Sequence, residues 1–480
     1  MIYSLNDRPR ISELWRLRND KQNIIAYKST VEKDVFKVLS PVMASVIPLF
    51  DGTNTWLDIK NVLFEIYNVP DDLQELWSRR FDEMFDDVAA LEGFISLEGN
   101  NSPSLSKNYE YFIPDIAGYH YPAWRLKRPL SVKIAFTNRC VCDCIYCYAE
   151  RKKCEEADVN QWKKIFDELY ENEIFLVDLG GSDIFSRADG LDILKEMVAR
   201  DFTFFVSTKK QISLSEACQL AEMGIGRFDI PQYLIRPVQI SIDSTDEEIA
   251  SYLVSRKGYF QQAVESAKNF VKAGIIPRIK CVLTAYNADA IDGIVRYFSD
   301  LGVKEFTFVQ YSRSHFHHND RLFLSSEQKK RISETANRIK ADFPNLVINI
   351  QENTSAGGPR NLSWEGWHNR SVCSGGRSNF IIQPNGEVTL CEQSPHNADF
   401  VVGNVFQEGI LGVWNSDKLL NFLYPDRSKF QRTACYDCPE YETCHQEKGY
   451  CYRDVYSSYG TIYDAQPECP RQSKTPAREI

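Results

Sequence analysis

Thr137-Asn138-Arg139-Cys140-Val141-Cys142-Asp143-Cys144-Ile145-Tyr146-Cys147 is the stretch from which the fold of this 480-residue chain is read. It follows residues 131–136, an apolar run that reads as a strand. Within it Cys140, Cys144 and Cys147 form C-x3-C-x2-C. Three thiolates can hold three irons of a [4Fe–4S] cube, whose irons normally take one cysteine each. The fourth iron is then open to a substrate or cofactor, as in reactive metal centres and unlike structural ones. A zinc knuckle is the alternative reading of the same residues. Cys142 breaks the spacing and reads as a bystander.

Downstream, strand-like runs recur at residues 174–179, 202–207, 238–242, 278–283 and 305–309, with helical patterns such as 247–252 and 260–273 between them. Six strand–helix units over residues 125–312 predict an α/β fold on a parallel sheet, open or curved into a partial barrel. Either form puts chemistry at the C-terminal ends of the strands. Residues 313–372 read as a bridging region, with a helix at 326–341 and a strand at 346–350. Upstream, residues 1–105 read as a separate small domain of three short strands and then three helices, closed by a linker at 100–104. Ser40 and Thr55 are placed to cap the first two helices, and Asp71 begins the third. Leu73, Leu76, Phe81, Phe85, Val88 and Leu91 are spaced for the third helix's apolar face.

None of the 14 cysteines precedes residue 140, four crowd into 140–147, and seven lie beyond residue 372. The last group runs Cys373, Cys391, Cys435, Cys438, Cys444, Cys451 and Cys469, with a hairpin expected at Asn385-Gly386. Residues 373–480 hold few periodic apolar residues, so metal ligation is the expected substitute for a core of their own. Two zinc sites are the alternative there. Cys218 and Cys281 read as core cysteines.

The first cluster resembles that of the radical S-adenosylmethionine (radical SAM) superfamily, whose spacing carries an aromatic residue before the last cysteine, here Tyr146. The resemblance implies a partial (β/α)6 barrel and a catalytic [4Fe–4S] cluster on Cys140, Cys144 and Cys147. It also implies S-adenosylmethionine on the open iron, cleaved to methionine and a 5′-deoxyadenosyl radical that abstracts substrate hydrogen. Gly180-Gly181-Ser182-Asp183 resembles the superfamily's Gly-Gly-Glu, with Ser182 in the Glu position and Asp183 next to it. Ser241 and Asp243, two apart at a strand end, and Arg256 match cofactor contacts in peptide-modifying members. The C-terminal cysteines resemble the SPASM extension. That likeness implies two auxiliary [4Fe–4S] clusters, one on Cys373, Cys391 and Cys451, the other on Cys435, Cys438, Cys444 and Cys469. The first lacks a fourth cysteine; it is either open or completed by His368, which reads more readily as a packing residue beside Trp364 and Trp367.

Residues 1–105 resemble the winged-helix RiPP recognition element, which captures a precursor peptide's leader as an added strand. A winged helix could also bind DNA, but residues 1–100 hold 11 Lys/Arg against 17 Asp/Glu, a net of −6. A capping or dimer-forming domain is the third reading. The whole chain carries −10 (56 basic, 66 acidic), which disfavours a nucleic-acid partner. No apolar run suits a membrane span, and the N-terminus lacks a signal-peptide pattern, so reduced cysteines in the cytoplasm are expected. The expected function is oxidoreductase modification of a ribosomally made precursor peptide by a thioether or other crosslink, with a reducing partner such as a flavodoxin or ferredoxin. Formylglycine formation of the sulfatase-maturase kind is the alternative. A non-catalytic iron–sulfur or peptide-binding partner is the rival from another class.

Overall fold

The computed structural model describes residues 4–12, 14–20, 24–28, 35–89, 93–97, 125–150, 154–227, 236–312, 316–317, 319–351, 362–370, 372–395 and 397–472. The expected linker at 100–104 and Leu91 lie outside them. Among the described residues no helix is long and apolar enough to cross a membrane. The chain forms two compact units, one holding the described residues up to 97 and the other those from 125 onward.

In the first unit, β1 (Arg10–Ile11), β2 (Trp15–Asn19), β3 (Ile24–Lys28) and β4 (Phe36–Val38) precede α1 (Pro41–Val46), α2 (Trp56–Ile66), α3 (Gln74–Ala89) and β5 (Ile95–Ser96). Strands β2, β3 and β4 form one antiparallel sheet in that order, with Trp15 opposite Lys28 and Ile25 opposite Val38. Ser40 Oγ caps α1 by accepting from the Met43 amide at 3.3 Å. Thr55 and Asp58 cap α2 reciprocally, each side chain accepting from the other's backbone amide. Trp15, Ala26, Leu39, Trp56, Ile59, Leu63, Phe81 and Phe85 build the core. Leu73 and Leu76 do not join it, being 40% and 43% exposed. At 100° per residue Leu76 lies about 140° round the helix from Phe81, so the apolar phase of α3 leaves it on the solvent side.

The second unit contains all six expected strands: β6 (Ser131–Ile134), β7 (Leu176–Leu179), β8 (Val206–Thr208), β9 (Val238–Ser241), β10 (Arg278–Leu283) and β11 (Glu305–Gln310). Helices α4 (Val159–Glu171), α5 (Gly190–Val198), α6 (Leu214–Glu222), α7 (Glu247–Val254), α8 (Tyr259–Lys272) and α9 (Ala290–Asp300) alternate with them. The six strands follow chain order and every pairing is parallel, β7 meeting the β8 segment only through a bridge between Leu176 and Thr203. Residues from all six line one cleft, so the sheet is curved as a partial barrel. Then come α10 (Ser326–Asp342), β12 (Val347–Gln351), which extends the sheet beside β11, and the short α11 (Trp364–His368).

Beyond residue 372 lie β13 (Asn379–Ile382), β14 (Glu387–Thr389), β15 (Gly403–Asn404), α12 (Val405–Trp414), α13 (Asp417–Leu423) and α14 (Tyr452–Tyr459). The hairpin forms at Asn385-Gly386, with Gly386 at φ +81° and Phe406 and Asn404 occupying the space a side chain would need. Strand β13 pairs in parallel with β6, Asn379 opposite Ser131 and Ile382 opposite Ile134, and so continues the barrel sheet. One apolar core runs from Val132 to Cys469, with Trp162 edge-on to Phe406 at 5.1 Å. The cysteine-rich region therefore buries its apolar residues in a core shared with the barrel, a contribution beside the metal ligation that the sequence pattern pointed to. Cys281 is buried in β10, but Cys218 is exposed on α6, not in the core.

Candidate functional site

The loop after β6 carries the first cysteine cluster and is pinned from several sides. The Asp143 and Ile145 amides donate to the Val254 and Leu253 carbonyls at the end of α7, both at 3.0 Å. His317 Nδ1 lies 3.0 Å from the Cys144 carbonyl oxygen. This path brings Cys140, Cys144 and Cys147 to the wall of one cleft of about 380 Å³ at the C-terminal ends of the strands. Cys142 is buried off that wall, as its irregular spacing suggested. Burial pushes the Cys144 thiol up to about 12 and the Cys142 thiol to about 11. A thiol must lose its proton to ligate a metal, so metal binding at Cys144 would release one. Among the described residues no three His, Cys, Asp or Glu converge as the ligands of a single ion do. Ligands of a four-iron cube bind separate irons and need not converge.

The glycine segment after β7 is assembled differently from expectation. Gly181, at φ +75°, and Ser182 line the cleft. Gly180 lies behind the wall, where a Cβ would stand 2.6 Å from the Lys133 stem. Asp183 reaches the wall. Oδ1 accepts from the Phe185 amide at 3.1 Å, and Oδ2 accepts from Thr208 Oγ1, the Lys209 amide and the Lys210 amide at 2.8, 2.8 and 3.0 Å. Three of these donors fall on Oδ2 and one on Oδ1. Asp183 therefore ties the β7 loop to the end of β8.

Ser241 lines the cleft at the end of β9, but Asp243 is fully buried behind the wall. Tyr146 donates its hydroxyl to Asp243 Oδ2, and Lys209 Nζ donates to Tyr146 at 3.0 Å and to Asp243 at 3.3 Å. Oδ1 accepts from the Val282 amide at 3.0 Å. Asp243 thus holds Tyr146 and Lys209 beneath the cluster loop. Arg256 is also absent from the cleft; its guanidinium donates to the Val141 carbonyl at 3.3 Å and braces the cysteine loop.

Sequence reading missed the charged layer of the cleft. Lys133 Nζ lies 2.9 Å from Asp178 Oδ2 and 2.8 Å from Glu392 Oε2, beside Tyr148 and Lys280. Gln239 donates to Ser207 at 2.8 Å in the same layer. The available signal was a charge at an alternate position of an otherwise apolar strand, as in Ser131-Val132-Lys133-Ile134 and Ile279-Lys280-Cys281. Glu392 had no such signal, because it comes from the far end of the chain.

Four of the C-terminal cysteines share a cavity, and three others lie near Tyr452. Cys435, Cys438, Cys444 and Cys469 line one cavity with Trp367, Tyr441 and His445. Burial, then Arg370 and Arg427, bring the His445 imidazole down to about 3, and among the described residues its Nδ1 has no hydrogen-bond partner. Cys373, Cys391 and Cys451 lie near the buried Tyr452, whose hydroxyl is likewise without a partner among the described residues. Buried polar atoms left without partners beside sets of thiols fit groups that bring their own acceptors. His368 packs on Trp364 at 5.6 Å, with Nε2 3.5 Å from Glu440, two residues that line the cavity of Cys435, Cys438, Cys444 and Cys469.

Residues 134–297 match the radical SAM superfamily, and residues 373–439 match SPASM, an iron–sulfur cluster-binding domain. The chain is 24% identical over 334 residues to the antilisterial bacteriocin subtilosin biosynthesis protein AlbA of Bacillus subtilis, covering 68% of this chain and 67% of that one. It is 25% identical over 360 residues to the mycofactocin maturase MftC of Mycolicibacterium smegmatis, covering 74% and 86%. The crystal structure of Streptococcus suis SuiB bound to S-adenosylmethionine superposes with a TM-score of 0.61 at 18% identity, covering 97% of this chain and 99% of SuiB.

Proposed function

We propose that this chain, a radical SAM enzyme with a SPASM domain, forms a crosslink in a ribosomally synthesised precursor peptide. Its cofactors are S-adenosylmethionine, a catalytic [4Fe–4S] cluster and auxiliary iron–sulfur clusters. Cys140, Cys144 and Cys147 hold the catalytic cluster, which supplies the electron that cleaves S-adenosylmethionine to the hydrogen-abstracting 5′-deoxyadenosyl radical. Gly181, Ser182 and Ser241 flank the cofactor, and Tyr146, Lys209 and Asp243 keep the cysteine loop in place. Cys373, Cys391 and Cys451 hold one auxiliary cluster; Cys435, Cys438, Cys444 and Cys469 hold the other.

The observation that carries the proposal is the cleft itself. Its wall joins the three cysteines to Glu392 and Gln393, which directly follow Cys391. Its volume of about 380 Å³ lies within the roughly 300–1,000 Å³ of small-molecule sites, and its Lys133, Asp178, Lys280 and Glu392 offer charged partners to a peptide segment beside the cofactor. Peptide substrates also agree with the relatives, which include a PqqA peptide cyclase, and with SuiB, crystallised bound to its precursor peptide SuiA. The leader docks as an added strand on the β2–β3–β4 sheet, the core peptide enters the cleft, and a thioether is the product. The enzyme works in the cytoplasm with a flavodoxin or ferredoxin as reductant.

Anaerobically reconstituted protein, reduced and given S-adenosylmethionine, is expected to release 5′-deoxyadenosine, and a Cys144→Ala variant to release none. With its precursor peptide it yields a product lighter by a pair of hydrogens per crosslink. Deoxyadenosine production that persists in Cys144→Ala would remove the cluster assignment.

A further inference from the structure

We infer that Arg370 is a positioning residue for the second auxiliary group, setting that cluster's reduction potential through Cys444. The guanidinium follows α11 and is held at four points. Nη1 donates to the Trp367 carbonyl at 2.8 Å, and Nη2 lies 3.1 Å from Cys444 Sγ, 3.3 Å from the Cys444 carbonyl and 3.2 Å from the Gly449 carbonyl. Its plane lies over the Trp367 ring, 4.0 Å from the centroid. Among the described residues no carboxylate pairs with it, so its charge is offered to the sulfur and to carbonyl dipoles alone.

A cationic donor on a ligating thiolate makes a charge-assisted hydrogen bond, stronger than a neutral one. Reduction adds negative charge to an iron–sulfur cluster, and hydrogen bonds to its sulfurs are among the factors that set its potential. Arg370 therefore favours the reduced state and raises the potential. The planar fork, stacked on Trp367 and bonded on two edges, is a geometry that lysine's point charge does not reproduce.

The inference rests on the assignment of Cys435, Cys438, Cys444 and Cys469 to one cluster, and the test separates the two. Full-length wild type, Arg370→Gln and Arg370→Lys are reconstituted anaerobically, assayed for iron, and titrated electrochemically under electron paramagnetic resonance. The expected result is about twelve irons per chain in all three, four to each cluster. One auxiliary signal moves to lower potential in Arg370→Gln, the other signals stay in place, and Arg370→Lys falls between. Full iron with unshifted signals in both variants would overturn the role of Arg370. Loss of about four irons in both variants would overturn it too, showing that the residue holds the cavity together. A wild type binding about four irons plus zinc would remove the cluster assignment beneath it.

Discussion

Glu392 follows the auxiliary cysteine Cys391 yet lies 2.8 Å from Lys133 on the first barrel strand. Glu392→Gln leaves Lys133 with Asp178 alone and changes the wall where a peptide would lie. We expect peptide modification to fall by about tenfold, about 1.4 kcal/mol in the barrier, with 5′-deoxyadenosine release largely kept. The ratio of the two products checks this; an equal fall in both would assign Glu392 to folding instead. Glu156 makes a pH test. Burial alone would raise its carboxyl, but Arg139, Thr137 and Arg187 outweigh that and hold it below the usual range. A depressed folded-state value stabilises the protein above the unfolded value, about 4.3, and that contribution is lost as pH falls through the folded one. Glu156→Gln should therefore lower the thermal midpoint at neutral pH, with the difference from wild type shrinking below about pH 4. A pH-independent difference would contradict the ion-pair origin.

At the scale of the element, the β7 loop depends on Gly181. Its φ of +75° is a left-handed conformation, and an added Cβ would stand 2.9 Å from Ala135 Cβ. Gly181→Ala is expected to cost about 1–2 kcal/mol and to displace the Ser182 wall, read as a lower chemical-denaturation midpoint together with weaker S-adenosylmethionine binding. Unchanged values in both would show that the loop tolerates the methyl. Most elements were legible because local rules act within them. Strand-like runs marked β6, β9, β10 and β11, and capping residues marked α1 and α2. Local rules also explain the misses. Leu76 fits a helical spacing in one dimension but points away from Phe81 in three. Cys218 lies on α6 at a position whose type suggests burial and whose phase gives exposure.

For the whole molecule, the first unit's separate core and three-stranded sheet suit a module with a binding task of its own. A leader-only peptide is expected to bind the full chain and to inhibit modification of the intact precursor, while leaving slow 5′-deoxyadenosine release without peptide unchanged. Isothermal titration alongside the product assay tests both points, and no measurable leader binding would rule out strand capture by β2–β3–β4.

By itself the sequence determined the chemistry and the order of parts. The spacing of Cys140, Cys144 and Cys147 is one-dimensional, because three ligands within one loop are near each other however the rest of the chain folds, and strand and helix periods are local. Only the tertiary structure decided how the acids are engaged. Asp183 and Asp243 resemble cofactor-contact positions in the chain, yet one accepts from four donors and the other lies behind Lys209 and Tyr146. It also decided that β13 pairs with β6, bringing Glu392 to Lys133 across 259 residues. Hydrogen bonding of this kind and long-range strand pairing depend on groups far apart in the chain, which no local pattern records.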